Sequence, residues 1–327
     1  MSENLGFDFD HAVTAPFRMQ PGLRRLAPGS AQLTPAALPH RGVSRHLREK
    51  LAVLWAFADD ALCSLPGFDA RPALDAVAAQ AAAEHPQAWQ VGGARWRCAG
   101  LGWSLDADDR PVADADSGWP EIGPFLAQVP RPWRRAALLS LAFCEDLAIV
   151  DAASGRLPWL AVALPSMWAP AEKLGRSFAE VHAPVADNRL ITGAAPQLLK
   201  LVTGAERWER FVWTLTPHPR LHAHPRRYPP ERWGTGLLAD AKTHADALAA
   251  QTWFRTERQS FIPLGNDQAI FTILVDTQPM SRALADPARA ARLHAALATM
   301  SEAVLAYRGL QAARPALLAW LERRAAS

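Results

Sequence analysis

The chain has 327 residues, half of them hydrophobic and a fifth charged, with a formal net charge of +3. That length and apolar content can bury a sizeable core, as one elaborated domain or two, and argue against disorder. Only Lys50, Lys173, Lys200 and Lys242 of the 35 basic residues are lysines, and the arginines are interleaved with acids, so no continuous basic stripe offers itself to nucleic acid.

Cys63, Cys98 and Cys144 lie far apart without C-x-x-C spacing, which fits neither a disulfide framework nor a zinc knuckle. The start MSENLGFDFDHAV lacks a basic region followed by an apolar one, and no uncharged apolar run of about 18 residues follows. The expectation is a soluble cytoplasmic protein with no membrane partner.

Residues 1–45, rich in Pro, Gly and Ala without periodicity, read as a segment wrapped over a surface. Ser44 is a candidate N-cap for a helix through HLREKLAVLWAFADDAL, and helical patterning resumes in ARPALDAVAAQAAAEHP. WQVGGARWRCAG and LGWSL are short strand candidates. The segment DADDRPVADADSGWP that follows has alternate aspartates but neither the glycine nor the terminal glutamate of a calcium loop, and reads as a solvated turn.

From residue 137 the pattern sharpens. ALLSLAFCEDLAIVD and LPWLAVALP are two strand-like runs joined by AASGR, a hairpin with Gly155 at its flexible point. Glu145 and Asp146 fall on adjacent strand positions facing opposite ways, so they are not a paired-carboxylate catalytic centre, and a structural role is the expectation.

Residues 157–188, LPWLAVALPSMWAPAEKLGRSFAEVHAPVADN, break from strand at Pro165, turn through Trp-Ala-Pro and enter a short amphipathic helix that delivers His182 just ahead of Pro184. That position suits a ligand aimed into a cavity. Helical or irregular chain is expected over 170–208, then strands in RFVWTLTP, TWFRTERQSFIPL and AIFTILVDTQP, the last two joined by a tight GND turn.

Two strands, a helical crossover and three antiparallel strands is the element order of a PAS domain. The predicted fold is therefore α+β: a PAS-like antiparallel sheet with a helical crossover, plus N- and C-terminal helical extensions. The boundaries read as 1–136 for a wrapping segment, helices and a small hairpin, 137–280 for the core, and 281–327 for a helix or two packed outside.

Five segments carry a resemblance: FRMQPGLRRL at 17–26, CEDLAIV at 144–150, PSMWAPAEKLGRSFAEVHAPV at 165–185, RFVWTL at 210–215 and RTERQSFIPLGNDQAIFTI at 255–273. In these the chain resembles the haem-dependent oxidative N-demethylases, the third and fifth segments being specific and the fourth weak. The resemblance implies a b-type haem held by an axial histidine, and oxidation of a small secondary or tertiary amine, dimethylamine-like, by dioxygen with release of formaldehyde.

It also implies electrons from NADPH through separate flavin and iron-sulfur proteins, a reductase or ferredoxin-type partner. The chain carries neither a Rossmann glycine fingerprint nor an iron-sulfur cysteine cluster. It departs from the family pattern at Val212, which precedes Trp213 where the pattern has asparagine. That departure motivates a second reading, a non-catalytic haem PAS sensor or small-ligand-binding subunit.

Under the resemblance His182 is the axial ligand and metal-binding residue, against the plain alternative of a structural histidine. Lys173 and Arg176, three apart and on one face of a helix, meet the haem propionates or belong to a solvated face. In RTERQS, Glu257 holds a protonated amine and is the candidate catalytic residue, and Arg258 meets a propionate. The alternative there is an edge strand with a cross-strand ion pair. His218, His222 and His224 in PHPRLHAHPRR have the spacing of a metal site, but a further ligand is missing and the flanking prolines and arginines suggest an exposed loop.

Overall fold

A computed structural model of the protein describes residues 5–38, 42–114, 119–228, 233–238 and 243–327. The N-terminal segment forms one helical turn, Phe9–Ala12 (α1), then Arg24–Arg25 (β1), and a short antiparallel pair, Ala37–Leu38 (β2) and Gly42–Val43 (β3). Ser44 caps the helix Arg45–Ala61 (α2) by accepting from the Leu47 amide, as its sequence position predicts.

The chain continues through Leu62–Ser64 (β4), Arg71–Glu84 (α3) and a four-stranded meander of Trp89–Gly92 (β5), Arg95–Cys98 (β6), Trp103–Leu105 (β7) and Pro111–Ala113 (β8). Residues 115–118 of the acidic turn segment lie outside the described residues.

Ile122–Gln128 (α4) and Arg134–Ala142 (α5) come next, and α5 corrects a sequence expectation. The apolar run from 137 is helical as far as Ala142, and the strand Asp146–Asp151 (β9) starts only after it. Every residue from Arg135 to Ala142 is buried, so the helix has no polar face to betray its period. The boundary expected at 136/137 falls inside this helix.

Arg156–Ala161 (β10) completes the hairpin through Gly155, whose φ of 72° is the left-handed conformation the turn requires. The crossover holds four short helices, Pro170–Lys173 (α6), Phe178–His182 (α7), Arg189–Gly193 (α8) and Ala195–Val202 (α9). Then come Trp208–Thr216 (β11), Thr235–Leu238 (α10), Ala245–Ala250 (α11), Trp253–Gly265 (β12) and Gln268–Pro279 (β13). The β12–β13 turn is the predicted GND, with Gly265, Asn266 and Asp267 all at positive φ.

The main sheet is seven-stranded and antiparallel, in the order β1-β11-β12-β13-β9-β10-β4. Side-chain alternation gives it two different faces. One carries Ile149, Trp159, Ala161, Ile262, Ile270 and Leu274 into a core with α2, α3 and α5, and Trp213, Leu215 and Phe254 into a second core.

That second core is closed by Met280–Ala283 (α12), Pro287–Ala298 (α13), Glu302–Tyr307 (α14) and Arg314–Ala325 (α15). The C-terminal region is thus four helices rather than the helix or two expected. The opposite face is covered by the crossover: Leu199 and Val202 of α9 pack on Val150 and Phe261, while Trp168 and Leu174 pack on Ala148, Leu160 and Val162.

A buried ion pair pins α2 to the start of β9. Lys50 Nζ lies 3.1 Å from Asp146 Oδ1 and donates to the Phe143 and Glu145 carbonyls, while Asp146 Oδ2 accepts the Leu164 amide at 2.7 Å. The neighbouring Glu145 accepts the Thr34 amide at 2.9 Å, and burial pushes its carboxyl up to about 7. Both acids are structural.

Lys50→Ala leaves the Asp146 charge buried without a cation and is expected to cost about 3–5 kcal/mol, read by chemical denaturation. One turn earlier on α2, His46 Nε2 lies 2.7 Å from the Val275 carbonyl. Burial, seconded by the charges of Lys50 and Arg45, holds its pKa down at about 4, against an ordinary 6.5, although the carbonyl favours the proton. Between those pH values the unfolded chain binds a proton that the folded chain refuses, so stability falls as pH drops through the window. His46→Gln is expected to make that decline shallower in a pH series of denaturation curves.

Candidate functional site

The centre of the crossover is α7. Gly175, at a φ of 69°, turns the chain out of α6, and Ser177 then caps α7 in a reciprocal capping box with Glu180. The single helix expected between Pro170 and His182 is therefore two short ones. A single helical turn, with Pro184 two residues beyond, leaves His182 as the last helical residue, and Asn188 donates to its carbonyl at 2.9 Å.

The His182 ring lies 4.2 Å from that of Phe178, and its Nδ1 lies 2.8 Å from the Phe178 carbonyl. A carbonyl only accepts, so Nδ1 carries the proton and Nε2 keeps its lone pair. Burial is the main cause that lowers the His182 pKa to about 4, with Arg210 and Lys173 adding to it and the carbonyl opposing. At neutral pH this is an uncharged imidazole whose Nε2 has no hydrogen-bond partner among the described residues.

The strands supply the rest. Arg210 and Val212 on β11 share a face with Arg255, Glu257 and Gln259 on β12, because Arg210 pairs with Gln259 and Val212 with Glu257. This is the face under the crossover. Gln259 Nε2 donates to Glu257 Oε2 at 2.6 Å. Arg210 interacts electrostatically with both His182 and Glu257. Its Nε is sealed from solvent and unpartnered, and desolvation lowers its pKa.

Arg255 and Arg308 also interact with Glu257, and burial pulls each down to about 10. Arg255 donates to Ser166 Oγ at 2.9 Å and to the Arg220 and Leu221 carbonyls at 2.8 Å, knitting the loop ahead of β12 to the crossover. Arg308, just past α14, donates to the Trp213 carbonyl, while Tyr307 beside it interacts with Glu257.

Among the described residues no carboxylate lies within ion-pair distance of Arg210, Arg255 or Arg308. Three guanidiniums that feel the charge of one carboxylate make a part-buried region of excess positive charge, which an anion would relieve. A neutral imidazole with an open Nε2 and these cations are residues that could hold a haem, a nitrogen for iron and guanidiniums for propionates.

The other sequence candidates fall in different places. Lys173 ends α6 half-buried, donates from Nζ to the Val181 carbonyl at 2.9 Å, and is desolvated next to His182. Arg176 lies in the turn after α6, exposed, and does not share a helix face with Lys173. Arg258 alternates to the far side of the sheet, where its Nε lies 3.0 Å from Glu209 and it also donates to the Ala31 carbonyl. This is the cross-strand ion pair weighed against the propionate role.

His222 and His224 stack at 6.1 Å with His222 Nδ1 2.7 Å from the Ala163 carbonyl, and both are buried rather than on an exposed loop. No group of three or more His, Cys, Asp and Glu side chains among the described residues is arranged to hold a metal ion. Arg210, Tyr307 and Arg308 were not singled out from sequence. Arg210 was within reach, since strand alternation in RFVWTL places it opposite Gln259.

A family model described as haem-dependent oxidative N-demethylase, alpha subunit-like, matches residues 126–318, more than half of the chain. The chain belongs to this family. Haem dependence and oxidative N-demethylation are thereby carried at the level of the family. The match runs from α4 into α15 and spans His182, Arg210, Glu257, Tyr307 and Arg308, so every element of the site lies within it. No helix among the described residues is long and apolar enough to cross a membrane.

Arg210→Met removes a desolvated charge that has no carboxylate within ion-pair distance among the described residues. In protein prepared without haem it is expected to raise stability by about 1 kcal/mol, measured by denaturation, while weakening haem uptake. A loss of stability in the haem-free protein contradicts the reading of Arg210 as an unpaired cation.

Proposed function

We propose that the chain is a haem-dependent monooxygenase that removes a methyl group from a small secondary or tertiary amine. His182 Nε2 would be the axial ligand to a b-type haem, with Arg210 and Lys173 meeting its propionates and Glu257 accepting the N–H of the protonated amine. The observation that carries this reading is the neutral His182 imidazole, its proton committed to the Phe178 carbonyl and its Nε2 open. Arg176 and Arg258 are left out of the assignment because one is exposed and the other pairs with Glu209 across the sheet.

The sheet order supports the PAS-like reading of the core, with β9 and β10 followed by the crossover and then β11, β12 and β13 folding back beside β9. When bound, haem would supply oxidation of a C–H bond next to nitrogen with dioxygen, using electrons delivered from NADPH by separate flavin and iron-sulfur partners. The hydroxymethyl amine so formed breaks its C–N bond to formaldehyde and the demethylated amine.

The chain's own work is elsewhere in the cycle. The Phe178 carbonyl orients the imidazole and makes Nε2 a better donor. The guanidiniums would neutralise the propionates, and the crossover covers part of the sheet face. Glu257 fixes the nitrogen, and with it the direction in which the methyl group points.

Val212 pairs directly with Glu257, so the departure from the family pattern sits beside the proposed amine position and bears on which amine fits.

Purified after expression with a haem precursor, the wild-type protein is expected to show a Soret band that His182→Ala loses or shifts. With a reconstituted reductase it is expected to release formaldehyde from dimethylamine. A Soret band that responds to carbon monoxide without any formaldehyde would favour the non-catalytic sensor. No Soret band at all defeats both.

A further inference from the structure

We infer that Gln259 is a positioning residue that leaves Glu257 with a single unclaimed oxygen, so that the site takes only amines whose nitrogen carries a proton and rejects quaternary ammonium ions. This rests on the proposed role of Glu257. Gln259 stands two residues along the same strand face and donates to Oε2 at 2.6 Å, which fixes the carboxylate's rotation. Among the described residues Oε1 has no hydrogen-bond partner.

A lone carboxylate in a part-buried site attracts any cation, methylated or not. Glu257 is not alone: Arg210, Arg255 and Arg308 all feel its charge, and Arg210 and Arg255 lie on the same sheet face. Their positive charge offsets the long-range attraction for a cationic guest.

What remains to hold an amine is short-ranged and directional, one charge-assisted N–H···O bond to Oε1. Dimethylammonium and trimethylammonium supply that donor. Tetramethylammonium has the same charge and none to offer.

The test is calorimetric titration of the haem-loaded full chain with dimethylamine, trimethylamine and tetramethylammonium at a pH where both amines are protonated. The expected order has the two N–H donors binding at least about tenfold more tightly than tetramethylammonium, the worth of one charge-assisted hydrogen bond. Gln259→Met keeps the side-chain length and removes the donor. It is expected to weaken trimethylamine binding while tetramethylammonium binding stays as it was, so that the selectivity ratio shrinks.

A merely structural role for Gln259 would weaken all ligands together and leave the ratio unchanged. Tetramethylammonium binding as tightly as trimethylamine to the wild type overturns the inference while the amine site stands. If neither amine binds the wild type, the reading of Glu257 falls and the inference falls with it.

Discussion

A hydrogen bond spanning four residues of one short helix, from His182 Nδ1 to the Phe178 carbonyl, sets the chemistry that the rest of the site can have. It decides the tautomer, and so decides that the basic nitrogen is the outward one. The crossover exists, in physical terms, to keep that bond. Gly175 breaks the helix so that a new one can start, Ser177 and Glu180 cap it, and the Phe178 ring packs, tilted, against the ring whose proton its own carbonyl receives. Each is a local device, and together they leave one lone pair without a partner among the described residues.

The sheet answers with charge. Parity along β11 and β12 places Arg210, Arg255 and Glu257 on the covered face and sends Arg258 and Glu209 to the other, where they pair. The far side is therefore neutralised within itself, while the near side keeps a surplus of cations. A protein that bound nothing there would gain by losing Arg210. Under the proposed function that cation waits for an anionic guest, and the buried Lys50–Asp146 pair shows how the same chain treats a charge that has only a structural task.

Much of this was legible before any coordinates. The β12–β13 hairpin was readable from its GND turn between alternating strands, and α2 from its serine cap, because both signals are local. His182 stood out because a proline follows it closely in a segment that had just left a strand. The helix α5 was not legible, since a fully buried helix and a buried strand are the same string of apolar residues. The split between α6 and α7 depended on Gly175 taking a left-handed conformation, which moved Arg176 away from Lys173. Tyr307 and Arg308 come from beyond the core strands and meet Glu257 only through tertiary folding, a contact that no local pattern encodes.

The central claim is that the His182 nitrogen bonds to iron, and resonance Raman spectroscopy of the ferrous haem-loaded protein reads that bond most directly. The account expects an iron–imidazole stretching band in the wild type, its disappearance in the His182→Gly variant, and its return when free imidazole is added to that variant. An unchanged band in His182→Gly without added imidazole would show that another residue holds the iron, and would contradict the account.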